Sequence, residues 1–182
     1  MAYRNGNYSA FYVDEPFGRG DLMAYFKPDF HHYRMLRAWK SKDPSFPFND
    51  SHEKNYNVRD DSDWELTLKP RLRERLRNSK NMILFLSFHT KASRALTEEI
   101  EYGVGELGLP VIVVYPDFDP ISYDGSFDHR VAGLWGKLPV FKRLMDNVPT
   151  LHVPMKKESI TAALSSPNYM VNSKCKPGCY RL

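Results

Sequence analysis

Residues 78–116 read NSKNMILFLSFHTKASRALTEEIEYGVGELGLPVIVVYP, and this segment decides the fold class. Two short apolar runs in it, Met82–Leu86 and Val111–Val114, are typical of parallel strands that are covered on both faces. Between the two runs, apolar residues recur at the spacing of one helical face, at Leu96, Ile100, Val104 and Leu107. The segment therefore predicts a buried strand, a helix and a second buried strand.

One carboxylate on the predicted helix stands apart from its neighbours. Successive helical residues are about 100° apart, which places Glu98 and Glu101 on the side opposite the apolar face. Glu99 falls at the edge of that face, beside Ala92 and Ala95. It is therefore either a border residue on the helix surface or a carboxylate in a crevice between helix and sheet. Open α/β sheets bind ligands in such crevices, at the carboxyl ends of their strands.

The composition indicates a folded protein with one main domain. The 182 residues are 42% hydrophobic and 14% aromatic, which is too rich in core-forming side chains for a disordered chain. The net charge of +4 favours an anionic partner without requiring one. We find no apolar run long enough to span a membrane and no signal-peptide core, so we expect a cytoplasmic protein. Cys175 and Cys179, in the tail, are then expected to be reduced thiols.

Further elements are predicted before the central segment. A first strand at Tyr8–Val13 is followed by a helix at Phe30–Trp39. An edge strand is expected at Ser45–Asp50, because Pro47 lacks a backbone donor and is tolerated only at a sheet edge.

The helix that precedes the central segment contains a proline. Its apolar stripe consists of Trp64, Leu68, Leu72 and Leu76. Pro70 means that this helix either begins near Lys69 or is kinked there. After the central segment we predict a polar loop at 117–138. A helix, a strand, a second helix and a loop-like tail follow, at 139–147, 151–154, 158–164 and 167–182. This alternation indicates an α/β fold with a mainly parallel sheet.

Several motifs of this sequence occur in the same order in a known family. They are FNDSHEK at 48–54, the acidic run that ends at Glu65, RLRERLRNSKNMILFLSFHT at 71–90, EEIEYGV at 98–104 and LPVIVVYP at 109–116. In this arrangement the sequence resembles the bacterial TIR-like family, and within it the TIR proteins of Thoeris antiphage systems. The resemblance extends from about Asn7 to Leu164 and is densest between Leu72 and Pro116.

The resemblance implies a fold and a domain boundary. TIR domains of this kind have a flavodoxin-like fold, in which helices cover both faces of a mainly parallel five-stranded sheet with the strand order 2-1-3-4-5. We accordingly expect a TIR-like domain at residues 1–166 and a C-terminal tail at residues 167–182.

The resemblance also implies an activity. Many TIR domains cleave the bond between nicotinamide and ribose in NAD, using a glutamate on the third helix. In Thoeris systems the product is a cyclic or otherwise modified ADP-ribose that activates an effector protein. The matching catalytic residue is Glu99, the first glutamate of EIEY, with NAD as the substrate and no cofactor. One difference is Ala95, because the family commonly has Trp four residues before this glutamate.

Candidate substrate contacts follow the first and second strands, because loops after those two strands line the crevice in such a fold, and one further candidate ends the third strand. Phe11 or Tyr12 would stack on a base, and Asp50 or His52 would bind ribose hydroxyls. The full set of predicted substrate-binding residues is Phe11, Tyr12, Asp14, Asn49, Asp50, His52 and Ser87. Of these, Ser87 would reach a phosphate. Each also has a structural interpretation, Phe11 and Tyr12 as strand residues and Asp50 as a turn residue.

Two other kinds of site are not favoured. A metal is not expected, because neither the helical i, i+4 pairing nor a nearby cysteine accompanies His31, His32 and His52. A nucleic-acid surface is also not expected. The candidate residues for such a surface are Arg71, Arg73, Arg75 and Arg77. Alternate residues spread around a helix, and Glu74 lies among them, so these arginines are better explained as a solvated face.

Two functions remain open at the level of the sequence. The position of Glu99 favours an NAD-consuming TIR enzyme that makes a nucleotide signal. Ala95 favours a non-catalytic TIR-like module that self-associates or docks another protein. A third interpretation, a flavodoxin-like nucleotide or nucleic-acid binder, is less favoured because we find no phosphate-cradling glycine loop. Self-association is expected of the enzyme, because TIR domains often complete their active site between neighbouring copies, and it is one of the two ways in which the non-catalytic module would act.

Overall fold

The computed structural model describes residues 4–12, 28–52 and 63–182. Within these residues the strands are β1 (Gly6–Ala10), β2 (Ser79–Phe85), β3 (Val111–Tyr115), β4 (Ser122–Tyr123), β5 (Ser126–Phe127), β6 (Pro149–Pro154) and β7 (Gly178–Arg181). Strands β4 and β5 form an antiparallel hairpin. The other five form one parallel sheet with the spatial order β1-β2-β3-β6-β7.

Six α-helices lie in the same part of the chain. They are α1 (Pro28–Lys42), α2 (Lys69–Arg77), α3 (Arg94–Ile100), α4 (His129–Leu134), α5 (Pro139–Leu144) and α6 (Lys157–Ser165). A π-helical turn at Trp64–Leu68 leads into α2, and another at Glu101–Glu106 continues α3. Short 3-10 turns lie at Trp135–Lys137, Met145–Asn147 and Pro167–Tyr169. None of the helices described here is long and apolar enough to cross a membrane.

The central strands are buried on both faces, and their side chains alternate between two apolar clusters. On β2, Met82 and Leu84 belong to the first cluster, and Ile83 and Phe85 to the second. Helices α2 and α3 cover the first face with Leu72, Leu76, Leu96 and Ile100. Helices α1 and α6 cover the second face with Tyr33, Leu36, Ile160 and Leu164. The predicted α/β class and the flavodoxin-like arrangement are therefore confirmed.

The predicted second strand is reduced to a single bridge. Among residues 45–50, only Asp50 pairs with the sheet, through a parallel bridge to Asn7 on β1. Pro47 has no N–H, and the N–H of Asn49 donates to the side-chain oxygen of Asn7 instead of to a neighbouring backbone. The bridge lies beside β1, where the predicted order 2-1-3-4-5 places its second strand, but that order is not confirmed in detail.

The carboxyl-terminal residues correct the prediction of a loop-like tail. Gly178–Arg181 form β7, which pairs in parallel with β6 at the edge of the sheet. Cys179 packs against the first apolar cluster and Tyr180 against the second, so this strand also alternates. The segment GCYR is not a continuous apolar run and is too short to show alternation, so its sequence does not distinguish it from a loop. The predicted polar loop at 117–138 likewise contains the hairpin and α4.

Pro70 occupies the first turn of α2, where its missing N–H breaks no helical hydrogen bond. The α-helix begins at Lys69, which confirms the first of the two alternatives for this proline. The preceding turn is capped by Asp63, whose Oδ1 accepts a hydrogen bond from the N–H of Leu66 at 2.7 Å.

Two glycines in the turn that continues α3 offer a matched test of its packing. A Cβ added to Gly103 would lie 2.5 Å from the Met82 methyl and 3.1 Å from Leu76 Cδ2, whereas one added to Gly105 would meet only Leu144, at 3.6 Å. We expect Gly103→Ala to lower the free energy of unfolding by about 1–3 kcal/mol through overpacking. Gly105→Ala should be neutral or raise it by up to about 1 kcal/mol. Urea denaturation checks both values, and equal stability of the two variants would contradict this packing.

Candidate active site

Glu99 lies where α3 meets the sheet. The hydroxyl of Tyr8, on β1, donates a hydrogen bond to Glu99 Oε1 at 2.7 Å. The second oxygen, Oε2, is buried and has no hydrogen-bond partner among the residues that the structure describes. Glu99 as a whole keeps partial exposure. Its carboxyl therefore occupies a crevice between helix and sheet, which agrees with one of the two interpretations of the sequence.

The crevice changes the ionisation of both partners. Burial raises the pKa of Glu99 from 4.5 to about 8, although the hydrogen bond from Tyr8 and the charge of Arg75 act in the opposite direction. Burial, together with the nearby Glu99, also raises the pKa of Tyr8 well above its usual value. At neutral pH the carboxyl is therefore largely protonated. Since Oε1 accepts from Tyr8, the proton belongs on the unpartnered Oε2.

The neighbouring carboxylates on α3 and its continuation have different surroundings. Glu98 accepts from Arg73 Nε at 2.6 Å and lies 3.6 Å from Lys69 Nζ. Glu101 pairs with Arg143 at 3.2 Å. Both are thus paired with cations, and Glu101 is exposed whereas Glu98 is half-buried beneath its two partners. In the described parts of the chain, no group of three or more His, Cys, Asp or Glu side chains is placed to hold a metal ion.

Arg75 and His52 form a second polar layer beside Tyr8. Arg75 Nη1 lies 2.9 Å from His52 Nδ1, and the His52 ring packs on the Tyr8 ring with centroids 4.8 Å apart. Burial, aided by the charge of Arg75, lowers the pKa of His52 to about 4. His52 is therefore neutral at pH 7. Because a guanidinium only donates, Nδ1 is the acceptor and the ring proton belongs on Nε2.

Asp50 is held in a turn next to this layer. Its Oδ2 accepts from the Tyr33 hydroxyl at 2.5 Å, and its Oδ1 accepts from the N–H of His52 at 2.9 Å. Arg37 Nε approaches Oδ2 at 3.8 Å. These contacts agree with the interpretation of Asp50 as a turn residue. Binding of ribose by Asp50 or His52 stays a prediction.

A buried pair of amides fixes this turn to the sheet. Asn7 Nδ2 donates to Asn81 Oδ1 at 2.7 Å, and Asn81 Nδ2 donates to the carbonyl of Tyr169 at 2.9 Å. Asn7 Oδ1 accepts from the N–H of Asn49 at 2.7 Å. The predicted substrate residue Asn49 thus has its backbone fixed by β1, while its side chain is exposed. This network sets the position of Asp50 and His52 relative to Glu99.

Phe11 and Tyr12, the predicted base-stacking residues after β1, pack against the apolar clusters on opposite faces of the sheet. Phe11 stacks on the Tyr33 ring, with centroids 5.2 Å apart, and also contacts Phe30. Tyr12 packs against the same apolar cluster as Tyr8. Asp14 lies outside the described residues. Base stacking by Phe11 or Tyr12 stays a prediction, since both rings already pack against the protein.

Ser87 belongs to a separate buried cluster. Its hydroxyl donates to Asp29 Oδ1 at 2.6 Å, and the hydroxyl of Thr90 donates to Asp29 Oδ2 at 3.1 Å. Burial raises the pKa of Asp29, and the two hydroxyls oppose this shift. Ser87 is fully buried and its hydroxyl is engaged in this cluster. The structure does not bring it together with Glu99, and its contact with a phosphate stays a prediction.

Sequence reasoning missed two residues of the site. Tyr8 was interpreted only as a strand residue, and Arg75 as part of a solvated basic face. Arg75 is half-buried, and burial lowers its pKa, so for this residue that interpretation is wrong. Its place directly before the buried Leu76 and three residues after the buried Leu72 was the available signal.

The Tyr8–Glu99 contact falls within a match to a known family. A sequence model described as Thoeris protein ThsB, TIR-like domain, matches residues 8–120. The matched region is more than half of the chain, and it includes β2, β3, the last three residues of β1, and the residues Tyr8, His52, Arg75 and Glu99. The chain belongs to this family. Membership as a ThsB TIR-like domain agrees with the fold and with the resemblance that the sequence motifs indicated.

The pH dependence of the free energy of unfolding should reveal the buried Glu99 carboxyl of this ThsB-family domain. Between about pH 5 and pH 8, the folded chain keeps a proton on Glu99 that the unfolded chain releases, because the folded pKa is about 8 and the ordinary value 4.5. The free energy of unfolding therefore falls as pH rises through this range, by about 1.4 kcal/mol per pH unit at most for one proton. We expect this contribution to disappear in Glu99→Gln.

The comparison uses urea denaturation of wild type and variant at about pH 5.5, 7 and 8.5. Stability of Glu99→Gln relative to wild type should rise steadily with pH. Glu98→Gln is the matched control, because it removes a neighbouring carboxylate that is paired with Arg73 and Lys69. A stability difference between wild type and Glu99→Gln that does not change with pH would contradict the burial of this carboxyl.

Proposed function

We propose that this chain is an NAD-cleaving TIR enzyme in which Glu99 is the catalytic carboxylate. The reaction breaks the bond between nicotinamide and ribose and yields an ADP-ribose product that acts as a signal in antiphage defence. The observation that carries this proposal is the Glu99 carboxyl, which is held by Tyr8 through one oxygen while the other is buried and unpartnered. Membership in the Thoeris ThsB family supports the defence role.

The chemistry needs one carboxylate near the ribose. Departure of nicotinamide leaves positive charge on the sugar, as in the oxocarbenium-like transition state of glycoside hydrolysis. A carboxylate beside that sugar stabilises the charge more strongly in a partly dry crevice than in water. Nicotinamide already leaves from a cationic ring, so no general acid is required. Tyr8 orients Oε1, and Oε2 is the carboxyl oxygen without a hydrogen-bond partner among the described residues.

The raised pKa of Glu99 fits a cationic substrate. The free site holds a largely neutral carboxyl at pH 7, because its pKa is about 8. A positively charged nicotinamide ring close to this carboxyl would favour its ionised form and lower the pKa. Substrate binding would therefore release the Glu99 proton to solvent and create the negative charge where the reaction needs it. Arg75 acts in the same direction, since its charge already lowers the pKa of Glu99.

Ala95 supports a second candidate function. This half-buried residue lies four positions before Glu99 on α3, where the family commonly carries Trp. A small side chain removes an aromatic wall from the crevice. A TIR-like module that works by self-association or by docking another protein would need neither the wall nor the chemistry of Glu99.

The proposal includes the partners that follow from a nucleotide signal. NAD is the substrate, and the product acts on a separate effector protein. A second copy of the chain is proposed to complete the site, as in TIR domains that assemble when active. The group that attacks the ribose after nicotinamide leaves determines the product. Attack by water gives ADP-ribose, and attack by an oxygen or nitrogen of the same nucleotide gives a cyclic form.

Loss of one carboxylate should separate the two candidate functions. We expect Glu99→Gln to reduce NAD cleavage by at least about a hundredfold, because the amide has no charge to stabilise the transition state. Glu98→Gln should retain cleavage close to the wild-type rate, since Glu98 is paired with Arg73 outside the crevice. Mass spectrometry measures NAD and ADP-ribose products, with purified protein over a range of concentrations and with extracts of phage-challenged cells.

Two outcomes of the same experiment would contradict parts of the proposal. Phage protection by Glu99→Gln, without loss of NAD or a new nucleotide in wild-type cells, would reject the enzyme and favour the non-catalytic module. Activity that is independent of protein concentration, in protein that light scattering shows to be monomeric, would reject the assembly part of the proposal.

A further inference from the structure

A groove of about 1150 Å³ lies at the amino-terminal ends of β1 and β2. Its lining includes residues just before β1 and at the start of β2, the last turns of α2, and the segment that follows the 3-10 turn at 167–169. Small-molecule pockets usually have volumes of about 300–1000 Å³, so this open groove is large enough for a nucleotide. Glu99 and Tyr8 do not belong to the lining.

Three cations point to an anionic ligand for this groove. Arg4, Arg77 and Lys80 belong to the lining, and Glu74 is its single acidic residue. Arg77 is partly engaged, since its Nη1 donates to the Tyr102 hydroxyl at 2.8 Å. Arg4 and Lys80 form no ion pair with any carboxylate in the described parts of the chain. Cations outnumber the acid by three to one, so the groove attracts negative charge.

Lys80 is the strongest single indication of a missing counter-charge. Burial lowers the pKa of this half-buried lysine, and the charge of Lys40 lowers it further. Lys40 is held in position by its own contacts, since its Nζ donates to the carbonyls of Pro44 and Phe46, both at 2.8 Å. Desolvation beside a like charge disfavours the ammonium form. An anion bound beside Lys80 would favour the ammonium form and so oppose both effects.

The remaining lining suits more than an inorganic ion. Four side-chain amides supply both donors and acceptors for ribose hydroxyls and base edges, from Asn5, Asn49, Asn78 and Asn172. Three apolar residues supply surface for a base, namely Leu107, Met170 and Val171. Val171 is fixed in place because its N–H donates to the carbonyl of Lys80 at 2.7 Å. Cations, amides and an apolar surface thus occur together along one groove.

We propose that this groove is a second ligand site, which binds a phosphate-bearing nucleotide with its phosphates on Lys80 and Arg4. The site is separate from the Glu99 crevice, and the proposal does not depend on NAD cleavage. Two elements reach both places. Helix α2 carries Arg75 at the crevice and Arg77 at the groove, and Asn49 of the groove directly precedes Asp50. A ligand in the groove is therefore in a position to affect the Glu99 site.

Titration of 15N-labelled protein with ADP tests the site by NMR. We expect progressive shifts of the backbone amides of Lys80 and Asn172, with adenosine giving much weaker binding because it lacks phosphates. Binding should weaken as salt is raised, as expected for neutralised charge. Lys80→Gln and Arg4→Gln should each raise the dissociation constant by about tenfold or more, since each removes one phosphate contact. Glu74→Gln should lower it, because it removes a like charge.

Lys91→Gln is the control variant, since this exposed lysine follows the opposite end of β2 and does not line the groove. Its dissociation constant for ADP should equal that of wild type. Amide spectra of the variants without ligand verify that they are folded. Shifts confined to residues around Glu99, equal binding of adenosine and ADP, or unchanged binding by both Lys80→Gln and Arg4→Gln would overturn the proposal. None of these results depends on whether the protein cleaves NAD.

Discussion

The hydrogen bond from Tyr8 to Glu99 joins an edge strand to the helix that carries the candidate catalytic residue, and the rest of the site depends on it. A carboxyl removed from water needs compensation, which here comes from one hydroxyl and from the charge of Arg75. Compensation is partial, because Oε2 has no partner among the described residues. The result is a carboxyl that is neutral at rest and that a nearby positive charge can ionise.

The architecture explains how such a contact is maintained. Helices α2 and α3 pack on one face of the sheet, so that Arg75 and Glu99 approach β1 from the same side as Tyr8. The amides of Asn7 and Asn81 then fix the turn at 49–52 against β1. Rigid elements thus hold the polar residues, which limits the reorganisation that substrate binding requires. The Thoeris ThsB family, to which the chain belongs, supplies the biological setting in which this chemistry is proposed.

Sequence alone predicted the central strand, helix and strand because two continuous apolar runs and one apolar helical face indicate buried elements. It also separated Glu99 from Glu98 and Glu101, since helical geometry places Glu99 at the edge of the apolar face and the other two on the opposite side. It missed the role of Tyr8, which arises from a contact between distant segments, and it overlooked the spacing of Arg75 from Leu72 and Leu76, which signalled partial burial. It missed β7 as well, where four residues complete the sheet through pairing with β6. Segment Ser45–Asp50 was predicted as a strand but pairs through one bridge, because Pro47 has no N–H and the N–H of Asn49 is taken by the side chain of Asn7.

The central claim is that Glu99 is a neutral buried carboxyl that a cationic substrate ionises. Its most direct test is a 13C NMR titration of glutamate carboxyls, with and without a carbocyclic NAD analogue that keeps the cationic ring and resists cleavage. Glu99→Gln assigns the signal. The account predicts a pKa of about 8 in the free protein and a pKa at least about one unit lower with the analogue bound. A pKa near 4.5 in the free protein, or no change at saturating analogue, would contradict it.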